Sequence, residues 1–373
     1  ISEFRFRGPA VAATPDPGES DDEFVEIYNN TESAITVQAV DGSAGYAIVG
    51  SDGTTLVTIP NGTVIPARGH WLGVNAVEYS LSDYGGTGAA EGDDGWIGSS
   101  IPDNGGVALF RTANPANYTA AERLDAAGYT TAPALYREGA GIPTGGPEFN
   151  ANVSNFSFFR NMVTGSPKDT GDNAADFLGV SVDGQGTGLG QRLGAPGPEN
   201  LSSPRQKSSA TEIWSRMVDQ CVSSSQSPNR VRVNGSYTDT LSGTGTYPLG
   251  YLDIRRAFVN MTGASVTRLR FRIVDITTFP APVGTADMRA LTSPDLSVTV
   301  SAACGGQTIP VKGTTLEQPP AQPMGGGFNS SLSAGTITLA TPLPDQNGLY
   351  VNFRLGVAQG GTFRFFVIVE ALP

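Results

Sequence analysis

His70 is the only histidine in the 373-residue chain, and that alone narrows the chemistry on offer. Nucleophilic triads, histidine-based metal centres and most general-base schemes set an imidazole beside a nucleophile, a carboxylate or further ligands. His70 instead precedes Trp71 in a strand-like run, the setting of a packed or edge histidine. Carboxylates are plentiful, 35 in all, and two of them held ~5 to 9 Å apart suffice for glycoside hydrolysis. With so many acids, pairs arise without meaning. Glu3 and Glu26 fall on strand patterns where Arg5 or Arg7 are the simpler partners. No catalytic residue is assigned, and the chain reads as a non-enzyme. Calcium is the one cofactor the residues suggest: Asp169, Asp172, Asn173 and Asp176 place four oxygen-bearing side chains within eight residues, with further clusters at Asp21-Asp22-Glu23 and Asp93-Asp94. Hard cations want such oxygens, but the spacing lacks the central glycine and distal glutamate of a calcium loop, and Asx-turns are the plainer account. Gly184, Gly186, Gly188 and Gly190 imitate a phosphate loop with no strand leading in and no helix following.

Covalent chemistry is more informative. Cys221 and Cys304 are the only cysteines, and two such residues in an exported β-rich chain point to one disulfide, worth about 4.5 kcal/mol by loop closure. Two buried thiols are the alternative. Asn-x-Ser/Thr occurs at Asn29, Asn61, Asn117, Asn152, Asn155, Asn200, Asn234, Asn260 and Asn329, where composition predicts roughly three or four. A coat of covalent glycans is the reading this excess suggests.

These residues must be positioned by strands. Gly 48 and Pro 26, with 16% charged residues, describe many tight turns and few helices, because both residues are costly inside a helix. Alternation confirms the expectation of an all-β fold. Phe4 and Phe6 share one face of the first strand, with Glu3, Arg5 and Arg7 on the other. Further runs follow at Glu23 to Asn29, Ile35 to Val40, Tyr46 to Val49, Leu56 to Ile59, His70 to Val74 and Val107 to Arg111, punctuated by Asp-Gly and Asn-Gly pairs as in a sandwich. Residues 181–210 are rich in Gly, Pro and Ser and read as a linker or a proline-pinned loop. In residues 211–373, Thr267, Leu269, Phe271 and Ile273 fill one strand face opposite Arg268, Arg270 and Arg272. The length suits two domains.

The Ile-x-Glu opening, the run Glu23-Phe24-Val25-Glu26-Ile27-Tyr28-Asn29 and Gly-Gly-Val-Ala-Leu-Phe at 105–110 resemble the lamin-tail domain of secreted bacterial proteins. Leu124 to Tyr129, Phe158-Phe159-Arg160 and Asp169 to Phe177 extend the resemblance over about residues 1–180. It implies an immunoglobulin-like sandwich used for binding or architecture, with no catalytic residues to carry over. The segments around Arg268 to Arg272, Pro319 to Gly327 and Phe363 to Phe366 resemble a region that follows this domain in uncharacterised secreted proteins.

The net charge of -12 opposes nucleic acid as a partner. No apolar run approaches the ~18 residues of a membrane span, and the start at Ile1 reads as a chain freed of its leader, placing it outside the cell or on its surface. In the last strand Phe366 and Ile368 occupy the face opposite Phe363, Phe365, Val367 and Val369. A strand apolar on both faces is covered twice or buried against a neighbour. The expectation is a non-catalytic extracellular structural protein, a homo-oligomer or polymer forming a filament, tube or surface layer. Its interface residues are taken as Arg268, Arg270, Arg272, Phe366 and Ile368. The alternative is an adhesin or glycan-binding module in which Trp71, Trp96 or Tyr84 stacks on sugar rings.

Overall fold

The structure is a computed structural model, which describes residues 1–8, 23–77, 79, 81, 91–143, 156–162, 164–184, 192–209, 211–278, 285–318 and 320–373. Asp21, Asp22, Tyr84, Asn152, Asn155, Gly186, Gly188 and Gly190 lie outside the described residues. The fold is all-β and sandwich-like. The chain divides into two compact units, one of residues 1–191 with 196–203, the other of residues 192–195 with 204–373.

In the first unit, strands β1 (Glu3–Arg5), β2 (Phe24–Tyr28), β3 (Gly45–Gly50), β4 (Thr55–Pro60), β5 (His70–Asn75), β6 (Asp94–Trp96), β7 (Gly106–Phe110), β8 (Arg123–Gly128), β9 (Phe156–Arg160) and β10 (Phe177–Ser181) build two sheets. One runs β10-β9-β1-β2-β5-β6 and the other β8-β7-β3-β4. All neighbours are antiparallel except β5 and β6, which run parallel. A core that includes Phe4, Phe6, Val25, Trp71, Leu109, Phe156 and Phe158 forms one hydrophobic cluster, with the Phe4 ring 5.4 Å from Phe158 and 5.1 Å from Phe177. Such offset and edge-on ring pairs add to the area they remove from water.

Alternation on β1 sorts the side chains as expected, yet its polar face does not meet water. Glu3 and Arg5 are fully buried, because Ser157 Oγ and the Gly197 amide both donate to Glu3 Oε1, at 2.6 and 3.1 Å. Residues expected to form part of a linker, Pro196–Ser203, are therefore bound into the first unit. Buried carboxylates are the physical reason. The Glu199 amide donates to Glu26 at 2.7 Å and the Leu201 amide to Asp93, which satisfies acids that would otherwise sit uncompensated in the interior.

The second unit contains β11 (Arg205–Gln206), β12 (Ile213–Met217), β13 (Arg230–Val233), β14 (Tyr237–Asp239), β15 (Gly245–Tyr247), β16 (Tyr251–Asn260), β17 (Arg268–Ile276), β18 (Asp287–Leu291), β19 (Leu296–Thr299), β20 (Thr308–Val311), β21 (Thr314–Leu316), β22 (Ser331–Ala334), β23 (Gly348–Gln359) and β24 (Phe365–Leu372). One sheet runs β11-β24-β17-β22-β21, the other β12-β16-β23-β18, with β13 also pairing β16 and with β14-β15 and β19-β20 as separate hairpins. Phe258 and Phe353 of one sheet pack on Phe271 of the other at 4.7 and 4.8 Å. Gly356 has no side chain for a reason: a Cβ there would lie 2.6 Å from the Tyr247 ring laid across β23. The Cys221–Cys304 disulfide joins the loop between β12 and β13 to the turn after β19.

Candidate functional site

His70 sits in a buried carboxylate cluster. Its Nε2 is 3.3 Å from Glu199 Oε2 and 3.9 Å from Glu26 Oε1, and its ring stacks on Tyr28 at 4.7 Å. Ser2 Oγ, the hydroxyl recorded at this cluster, donates to Glu26 rather than to the imidazole. Strands β2 and β5 supply Glu26 and His70, and the Pro196–Ser203 segment supplies Glu199. Three donor groups so placed could in principle hold a cation, but all are buried and their described contacts fasten that segment to the sheet.

In the run read as a calcium candidate, Asp169 and Asp176 each lie 3.6 Å from the guanidinium of Arg160. Asp172 caps the short helix α1 (Asn173–Asp176) by accepting from the Ala174 amide. Asn173 accepts from the Gly128 and Glu138 amides and donates to Ala126 O, while Asp176 accepts from the Thr170 amide and hydroxyl. These side chains thus serve as acceptors for protein donors.

Four of the nine glycan acceptors are likewise structural. Asn29, Asn200, Asn260 and Asn329 are buried, and their amide nitrogens, the atoms a glycan would use, donate to backbone carbonyls. At Asn29 and Asn260 the Oδ1 accepts both the amide and the hydroxyl of the threonine two residues on. That is an Asx-turn, to which the threonine hydroxyl adds a second bond. Asn61 and Asn234 are exposed and Asn117 is half-buried.

The expected interface residues part company. Arg268, Arg270 and Arg272 do face acids, but these are acids of their own chain: Arg268 pairs with Glu317 at 3.0 Å, Arg270 with Glu370 at 2.6 Å and Arg272 with Glu370 at 3.0 Å. All three guanidinium groups are buried, and so is Ile368. They are corrected from interface to interior. Phe366 is different, with 55% of its surface exposed.

Phe366 lies at the rim of an open trough between the two sheets of the second unit. One cavity of ≈590 Å³ is lined by Trp214, Ile254, Arg256, Phe258 and Phe353 on one side and Phe363 to Val367 on the other. A second of ≈340 Å³ continues it past Arg230 and Phe363 to Leu252, Met288 and Val357. Strand register explains the floor: Arg230, Ile254 and Phe353 stand opposite one another, as do Arg232, Leu252 and Leu355, so all belong to the inner face of the sheet. Here that face is covered only in part: Leu252, Phe353 and Leu355 are buried, while Ile254 and Arg256 are half-buried. The edge of the trough is open too. β24 pairs outward with β11 only at Glu370 and Ala371, and Lys207 and Ser208 bond Val369. Between Phe365 and Ile368 no strand among the described residues completes that side. Trp214, 46% exposed, and the inner-face arginines were missed in the sequence, where a tryptophan in a strand pattern looks like core. That β12 and β13 share one edge of β16 carries no local signal.

Comparison of the chain with models of known protein families, with curated proteins and with solved structures found no match.

Proposed function

We propose that this chain is a non-catalytic extracellular structural protein that assembles with copies of itself through the trough of its second unit. The observation that carries the reading is an inner sheet face only partly covered at Ile254 and Arg256, beside the open edge of β24. A strand laid there would gain main-chain hydrogen bonds from the edge and apolar contacts from Ile254, Phe363 and Phe365, the two components of strand addition. A disulfide supports an oxidising compartment. No helix among the described residues is long and apolar enough to cross a membrane.

Sedimentation of the full chain over a range of concentration tests the reading. Wild-type protein is expected to form concentration-dependent assemblies that Phe363→Ser together with Ile254→Ser, both half-buried in the trough lining, abolishes without loss of fold; a monomer at every concentration overturns it. Glycan binding is the second reading, because Phe353, Phe363 and Phe365 place aromatic side chains along the trough. It is the weaker one. The trough offers serines and arginines but no carboxylate or side-chain amide among its described lining, where an oriented polar ligand needs placed polar groups. Trp71 and Trp96, the aromatic residues expected to stack on sugars, are buried.

A further inference from the structure

Charge is divided unevenly between the two units. The first holds 25 acidic and 8 basic residues and the second 10 and 15, giving -17 and +5, which together make the net -12 of the chain. Much of the second unit's positive charge is neutralised internally: Arg354 and Arg255 face Asp253, Arg289 faces Asp287 and Arg364 faces Asp275. Four arginines differ. Among the described residues no carboxylate pairs with Arg216, Arg230, Arg232 or Arg256. Arg230 leans over Phe363 at 5.9 Å and Arg216 over Trp214 at 5.8 Å, Arg232 donates to the carbonyls of Val233, Leu249 and Tyr251, and Arg230, Arg232 and Arg256 line the trough.

An occupant that covers these guanidinium groups removes them from water. If it were purely apolar, each charge would be left uncompensated at a cost that defeats the contact. The occupant must therefore bring carboxylates as well as apolar side chains, and carboxylate is the partner that a guanidinium fork binds best. The first unit displays both, with exposed acids at Asp52 and Asp94 and exposed apolar side chains at Val64 and Ile97.

From this charge complementarity we infer that the trough receives the acidic first unit of a second copy, a head-to-tail contact that repeats without closing and builds an open polymer. The inference rests on the self-assembly reading above and names its partner surface. Long-range attraction between units of opposite sign also speeds the encounter and weakens in salt.

The test uses the full chain and an Arg230→Glu, Arg256→Glu variant, with near-ultraviolet circular dichroism and melting to confirm that it folds. In light scattering the variant alone should be monomeric. Because its first unit is intact, it should still cap wild-type ends: added at one part in ten, it should shorten wild-type polymers severalfold, and raising salt from ~0.05 to ~0.5 M should dissociate them. A folded variant that is monomeric yet leaves wild-type polymers unchanged overturns the head-to-tail inference and leaves self-assembly standing. Wild type that never assembles overturns both. Assembly undiminished in the variant, with its arginines needed only to bind an added oligonucleotide or heparin, also overturns the inference and assigns the trough to a polyanion.

Discussion

Glu370 on β24 stands directly opposite Arg270 on β17, with Arg270 Nε 2.6 Å from one carboxylate oxygen and Arg272 Nε 3.0 Å from the other. One buried acid thus compensates two buried guanidinium groups. Burial by itself would raise this carboxyl, but the charges of Arg270 and Arg272 outweigh it and hold the group below the usual glutamate range. Its contribution to stability is present above the unfolded-state value and is lost as pH falls through the depressed one. Glu370→Gln removes the nearest acid from both arginines, leaving Arg270 with Glu317 at 3.8 Å, and is expected to cost about 3 kcal/mol, read as a fall in the denaturant midpoint at pH 7. A midpoint within error of wild type would show the pair to be dispensable.

The first unit should respond to pH in the opposite sense. Burial lifts Glu23 to about 8 and Asp93 to about 6, even though Ser100, Asn75 and the Ile101 amide donate to Glu23 and the Leu72 and Leu201 amides to Asp93. Between the ordinary glutamate value and about 8 the folded chain holds a proton on Glu23 that the unfolded chain has released, so this stabilisation is complete at low pH and disappears as pH rises. Thermal melting of wild type should fall between pH 5 and pH 8, and Glu23→Gln should flatten that decline. An equal slope in both proteins would assign the effect elsewhere.

Replacing both Cys221 and Cys304 with serine frees an 83-residue separation. The loss should approach about 4.5 kcal/mol in the chain-entropy limit. It should appear in chemical denaturation of the second unit, whose loops the bond joins, and the same shift should follow from adding a reductant to wild type. A reductant that changes nothing would argue against the bond in solution.

If the native chain carries glycans, those on described residues belong at Asn61, Asn117 and Asn234, whose side chains are not buried. Peptide mapping after enzymatic deglycosylation should find Asn29, Asn200, Asn260 and Asn329 unmodified. Occupancy at any of these four would require their hydrogen bonds to backbone carbonyls to be broken.

What the sequence reveals here is whatever has a short period. Leu269, Phe271 and Ile273 alternate with Arg268, Arg270 and Arg272 because a strand repeats every second residue, and the all-β fold follows. Two cysteines leave one pairing within the chain. The partners of those arginines are another matter: Glu317 and Glu370 reach β17 only through strand order, and strand order is a property of the whole topology. The same blindness hides Arg160, which sets a guanidinium beside Asp169 and Asp176, and makes Trp214 look interior. Sequons mislead for a local reason, since an Asx-turn and a glycan acceptor share one tripeptide pattern.

The position of β1 governs when the first unit can be completed. Its seven-residue opening run becomes an inner strand, flanked by β2 and by β9 at Phe156–Arg160, and Glu3 then waits for Gly197. At ~5 to 20 residues per second, a ribosome needs on the order of ten seconds or more to produce β9 after β1 has appeared. For all that time a strand edge carrying Phe4 and Phe6 lacks its neighbour. A chain built in this order completes the surroundings of β1 only once about half of it, through Gly197, has been synthesised, which makes the nascent strand a natural client for a holding chaperone.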